Sequence, residues 1–171
     1  MSHEPPFPPP SQDVQEISTP EQFAALAHPL RQRLLFALGA RPATVSQLSA
    51  QLDTGKGNVA HHLNVLAAAG LIHQATTRAV RGGTEIYYQR TARRILVAEP
   101  RPEGTNALLG ALAEELRHAP EAHDLRLRHL HLSTAKARLV AETLARVIDE
   151  IEEDGEDQPV HGIFAAAYRR R

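Results

Sequence analysis

The sequence predicts a mainly α fold with a small β component. Three observations predict it. Apolar residues recur at helical spacing in several stretches between residues 20 and 151. Two alternating runs, "LIHQATT" and "TEIYYQR", flank the turn "RAVRGG", which describes one β-hairpin. The 171 residues are 42% apolar and 23% charged, enough apolar material for a packed core.

Five prolines in the first ten positions predict a disordered or polyproline-like tail, so residues 1–17 are left outside the fold. Order is expected from Ser18. Thr19 is the expected N-cap of a first helix, with Pro20 at its first position and Phe23, Leu26 and Ala27 as its apolar stripe. The chain breaks at His28-Pro29, and Pro29 opens a second helix with Leu30, Leu34, Leu35 and Leu38 at helical spacing. Gly39 is expected to end it.

"RPATVSQLSAQLD" supplies a third helix, capped by Thr44, with Val45, Leu48 and Leu52 inward. The two glycines of "TGKG" predict a sharp turn. A fourth helix follows over residues 55–69, where Val59, Leu63, Leu66 and Ala67 share one face. Its other face, Lys56, Asn58, His61 and Asn64, is polar, and Gly70 stops it. The hairpin then covers residues 72–90 with an arginine-rich tip.

"EPRPEG" is a linker. Beyond it a helix carries Leu108, Leu109, Leu112 and Leu116. "DLRLRHLHLST" alternates well enough for a short strand, although an irregular helix also fits. The longest helix is capped by Ser133 and has a stripe of Ala137, Val140, Leu144, Val147, Ile148 and Ile151. "VHGIFAAAY" reads as a final strand. The domain organisation expected is a tail over 1–17, a first domain over 18–98, and a C-terminal dimerisation or effector region over 99–171, helical with short strands.

Charge is segregated along the chain. Residues 54–98 hold six basic side chains (Lys56, Arg78, Arg81, Arg90, Arg93 and Arg94) against Glu85 alone, whereas the whole chain has a net charge of −1. A positive block in a neutral chain fits a polyanion-binding surface; a solvated basic face is the plainer reading. Three helices, then a helix with a polar outward face, then a basic-tipped hairpin describe a winged helix-turn-helix. In that arrangement the fourth helix enters the major groove and the hairpin, or wing, lies along the neighbouring backbone.

At these residues the chain resembles a known family. "LAHPLRQRLLFAL" is similar to the second-helix signature of the arsenical-resistance repressor (ArsR) family, "GNVAHHLNVLAAAGLI" to its recognition helix and "RGGTEIYYQRT" to its wing. The three occur in the family's order and spacing and cover roughly residues 18–98. The C-terminal half resembles that of a longer subgroup often found in actinobacteria, where helices follow the wing. The resemblance implies a homodimeric repressor that binds double-stranded DNA and answers to an effector, here an unknown small molecule. It also implies DNA-binding roles for Arg31, Thr54, Lys56, Gly57, Asn58, His61, His62, Arg78, Arg81 and Gly82. For Arg31 bracing of the fold stands beside phosphate contact.

Adjacent helical residues point about 100° apart, so His61 and His62 do not readily share one metal ion. His61 is read as facing the groove. His62, beside the apolar Leu63, is read as structural or backbone-contacting, with direct DNA contact as the second reading. The absence of cysteine removes the thiolate sensing found in many family members. His118, His123, His129 and His131 read as surface histidines; a histidine-and-carboxylate metal sensor is the alternative. No nucleophile elbow, P-loop or H-E-x-x-H motif is present, so neither an enzyme nor a cofactor is expected. A winged-helix protein-interaction module without an operator is the other alternative. Neither a signal peptide nor a long apolar run is found, and a soluble cytoplasmic protein is expected.

Overall fold

The computed structural model describes residues 7–97, 100–120, 124, 126–152, 154–155 and 158–169. The chain forms two compact units, Met1–Glu121 and Ala122–Arg171. The predicted class holds. The first unit contains β1 (Gln12–Glu16), α1 (Pro20–Leu26), α2 (Pro29–Ala40), β2 (Ala43–Thr44), α3 (Val45–Gln51), α4 (Lys56–Ala68), β3 (Ile72–Val80), β4 (Gly83–Arg90), β5 (Ala92–Leu96) and α5 (Pro102–His118). The second contains α6 (Thr134–Glu150).

Local signals set the helix starts. Thr19 accepts from Gln22 N and the Gln22 side chain reaches back to the Thr19 backbone, a reciprocal cap. Thr44 and Gln47 repeat that box at α3, and Ser133 caps α6. His28 caps α2 through Nδ1, which accepts from Leu30 N at 3.1 Å. Gly70, at φ 70°, ends α4: its N–H bonds Ala67 O, and Leu71 N–H bonds Leu66 O.

Two glycine expectations are corrected. Gly39 lies inside α2, which runs on to Ala40. A Cβ there would stand 2.9 Å from Arg90 Nη1, so this glycine makes room for a guanidinium. Between α3 and α4 the left-handed residue is Asp53, at φ 48°, and neither Gly55 nor Gly57 has positive φ. Aspartate tolerates that conformation because its short polar side chain bonds locally.

The core joins α1 to α4 with the start of β3. Leu34, Leu48, Val59, Leu63, Leu66 and Leu71 are its largest fully buried side chains. Ala67, expected on the buried face of α4, is exposed. The wing sheet has the order β2-β4-β3, all antiparallel, with Val80 opposite Gly83 across the turn Arg81-Gly82. Gly82 takes φ 102° there.

The sequence missed β1 and β5, which pair in parallel from Gln12↔Ala92 to Glu16↔Leu96. The segment before Ser18 is therefore partly structured. Ile17 is buried, Asp13 and Arg94 form a 2.6 Å ion pair, and Phe7 lies against Tyr87. Nothing in "SQDVQEIS" alternates strongly; the partner strand supplies the hydrogen bonds that make it a strand.

α5, placed by its sequence in the C-terminal region, packs on α1 and α2. Its buried residues are Ala107 and Ala111, while Leu109 and Leu116 are exposed. Small residues let two helix backbones approach, while Leu108 and Leu112 are half-buried beside them.

In the second unit α6 has no buried residue, and Leu144, Val147, Ile148 and Ile151 of its stripe are exposed. The two strands expected at "DLRLRHLHLST" and "VHGIFAAAY" are not formed among the described residues, which are irregular there. An isolated alternating run without a partner edge is not stable as a strand. His123 lies outside the described residues.

Candidate nucleic-acid interface

α4 is presented by a tied turn. Thr54 N donates to Ser49 O at 3.1 Å, and Ser49 Oγ donates to Thr54 O. Thr54 Oγ1 in turn accepts from Asn58 Nδ2 at 3.3 Å. Thr54 is half-buried, whereas Lys56, Gly57, Asn58, His61 and Asn64 are exposed on the outward face. α4 starts without a capping side chain and without an acidic residue in its first turn. Its first amide N–H groups thus have no side-chain acceptor, and the positive end of the helix dipole is uncompensated.

Gly55 and Gly57 border that end. A Cβ at either position would meet nothing within 4 Å. Neither the backbone conformation nor the packing of this chain requires glycine there.

Two of the expected DNA-binding residues point inward. His62 is only 7% exposed. Its ring lies against that of His28, tilted by 40° with centroids 4.3 Å apart, and its Nδ1 accepts from Arg31 Nη1 at 3.3 Å. Arg31 also donates from Nη2 to Ala24 O at 2.8 Å and from Nε to Ala25 O. These are carbonyls of the last turn of α1, where Ala24 O also accepts from the Ala27 N–H of the C-cap. Gln32 Nε2 serves Leu26 O in the same way, at 2.8 Å. Arg31 and His62 thus brace α1, α2 and α4 against one another, the structural reading of each. The sequence signal was present: His62 adjoins Leu63 on the buried side of the helix.

Burial lowers the pKa of His62, and the nearby His28, Arg31 and His61 lower it further. His28 is lowered first by burial, then by Arg31 and His61. Both rings are therefore held neutral more strongly than free histidines.

On the wing, Arg78, Arg81 and Gly82 are exposed, with Arg78 opposite Glu85 in the strand register. The basic block of the sequence is not one surface. Arg94 is paired with Asp13, and Arg90 turns into the protein beside Gly39. Lys56, Arg78, Arg81 and Arg93 are the exposed basic side chains of that block without a described partner.

Residues 26–75 match the model of a family described as "Helix-turn-helix domain". This segment is a helix-turn-helix domain. It spans two of the three motifs on which the resemblance rested, and β3–β4 adds the wing. No curated protein matches the chain. Among solved structures, the cadmium metal-sensor CMTR from Mycobacterium tuberculosis is 24% identical over 66% of this chain and 98% of its own, with a TM-score of 0.35. A possible transcriptional regulator for arsenical resistance is 25% identical over 72% of this chain and 97% of its own, also with a TM-score of 0.35. A helix-turn-helix domain is a DNA-binding unit; here the helix that follows its turn is α4.

Among the described residues, no three histidine or carboxylate side chains stand close enough to hold a metal ion. No helix among them is long and apolar enough to cross a membrane.

Proposed function

We propose that the protein is a homodimeric, sequence-specific repressor that reads the major groove with α4 and sets the β3–β4 wing against the adjacent backbone. The observation that carries this reading is the N-terminal end of α4. It is exposed, has no capping side chain and no acid in its first turn, and it is flanked by two glycines that the fold does not need. Such an end accepts a phosphate on its N–H groups, and Gly55 and Gly57 leave room for the sugar–phosphate chain. Lys56 adds charge; Asn58 and His61 offer donors and acceptors to base edges. Thr54 positions Asn58, while Arg78 and Arg81 meet phosphates from the wing and Gly82 shapes its tip. Arg31 and His62 act by holding α4 in place.

The dimer is supported by apolar surface left uncovered. Leu109 and Leu116 lie outward on α5, and the whole stripe of α6 is exposed. A second copy, through an effector region spanning residues 99–171, would cover them.

The test is selection of bound genome fragments with the purified protein, followed by affinity measurement on the selected site and on random DNA across a salt series. A palindromic site with half-sites about one helical turn apart is expected. Equal affinity for selected and random DNA sinks the repressor reading. No binding to either favours a protein-interaction module.

A further inference from the structure

The first unit contains a half-open cavity of about 470 Å³ lined by α1, α2, β5 and the start of α5. Its walls are apolar, with Phe23, Leu26, Leu35, Phe36, Ile95 and Leu108 supplying most of them. Into this lining comes the side chain of Arg90, from the last residue of β4. Its Nε is buried and has no hydrogen-bond partner among the described residues. Its Nη1 occupies the space that a side chain at residue 39 would take, so a glycine inside a helix accommodates it. Burial pushes the Arg90 pKa below the ordinary arginine value. Glu103, also at the cavity, is exposed on the first turn of α5 and forms no ion pair with Arg90. At the mouth, Arg101 lies over the Phe23 ring, 4.0 Å from its centroid.

A guanidinium whose Nε is buried without a hydrogen-bond partner among the described residues is costly, because that nitrogen has given up water and received nothing in return. The planar fork of arginine matches a carboxylate, which it can bind through two parallel hydrogen bonds. Aromatic and aliphatic walls of this size suit the apolar body of a small molecule. A neutral apolar ligand would fill the walls and leave Arg90 unpaired. A cation would be repelled by Arg90 and Arg101 together.

We infer that this cavity is a binding site for an amphipathic monocarboxylate, with the carboxylate on Arg90 and the apolar body between the two phenylalanines. Arg90 closes β4, the strand whose other end forms the wing turn, so an occupied cavity is joined to the wing by one strand. The site stands independently of the DNA-binding reading, and its test uses no DNA.

The experiment is isothermal titration and thermal denaturation of the full-length chain with decanoate, 1-decanol and decylamine. Decanoate is expected to bind and to raise the melting temperature. 1-Decanol should bind roughly tenfold more weakly, and decylamine more weakly still. Arg90→Gln should abolish the preference for decanoate, while Arg90→Lys keeps part of it. Thr105→Trp fills the mouth from an exposed position and should block every probe, whatever happens to the Arg90 variants. Equal binding of decanoate and 1-decanol to the wild-type chain overturns the carboxylate assignment. No binding of either, or decanoate binding that survives Thr105→Trp, overturns the site.

Discussion

At the scale of single residues, Arg31 and His62 of the helix-turn-helix domain make their contacts inside the protein. Every guanidinium nitrogen of Arg31 has an acceptor inside the protein. Arg31→Ala removes the donor to Ala25 O and one of the two donors to Ala24 O, and leaves His62 without its donor. A loss of about 1–3 kcal/mol is expected in chemical denaturation. Arg31→Lys should recover little of it, because an ammonium cannot reproduce the fork. Recovery to wild-type stability by lysine would refute the brace. His28 and His62 give a second prediction. Unfolded, both titrate near about 6.5; folded, both hold protons less well. The unfolded chain therefore binds more protons in the window below about 6.5, and stability falls as pH drops through it. Above that window their contribution to stability is fully present. Melting temperatures from about pH 7.5 to 5.5 should fall more steeply in the wild type than in a His28→Asn/His62→Gln double variant. Parallel slopes would remove these two rings from the account.

At the scale of elements, α4 separates what folding needs from what function needs. A Cβ at residue 57 meets open space, and alanine is the better helix former by about 0.5–1 kcal/mol. Gly57→Ala should raise the melting temperature and yet weaken binding to the selected DNA site in a fluorescence anisotropy titration. Unchanged affinity would mean that no phosphate approaches there. Lys56→Ala and Arg81→Ala should each lower affinity on all sequences and flatten the salt dependence, with circular dichroism unchanged. His61→Ala should also alter sequence preference. The elements themselves were unevenly legible. The caps at Thr19, Thr44 and Ser133, the helices they start and the hairpin of 72–90 are written in local spacing. β1 and β5 are not, because a strand of polar residues exists only through its partner. Of the candidate site, the exposed faces of α4 and the wing were readable from periodicity. The inward turn of Arg31 and the diversion of Arg90 and Arg94 away from the basic surface were not, because each depends on an acceptor or a space far along the chain.

At the scale of the molecule, the decisive surface is the apolar one that the chain leaves uncovered. Leu109 is 44% exposed and Leu116 40% exposed, on a helix whose Ala107 and Ala111 face the core. Leu109→Lys with Leu116→Lys should yield a monomer in sedimentation velocity, keep its helical signal, and lose more than about tenfold in operator affinity, since two half-sites are no longer bound together. A double variant that still sediments as a dimer would move the interface to α6 or elsewhere. What the sequence determined by itself is the class and the order of elements: caps, periodicity and turn residues act within a few positions, so their message is local. Tertiary structure alone decided which face of α5 is buried, that the segment before Ser18 adds a strand, and that Arg90 enters an apolar cavity beside Gly39 with its Nε unpartnered among the described residues. Those outcomes depend on close approach between distant segments, and no local pattern encodes the space that two backbones leave between them.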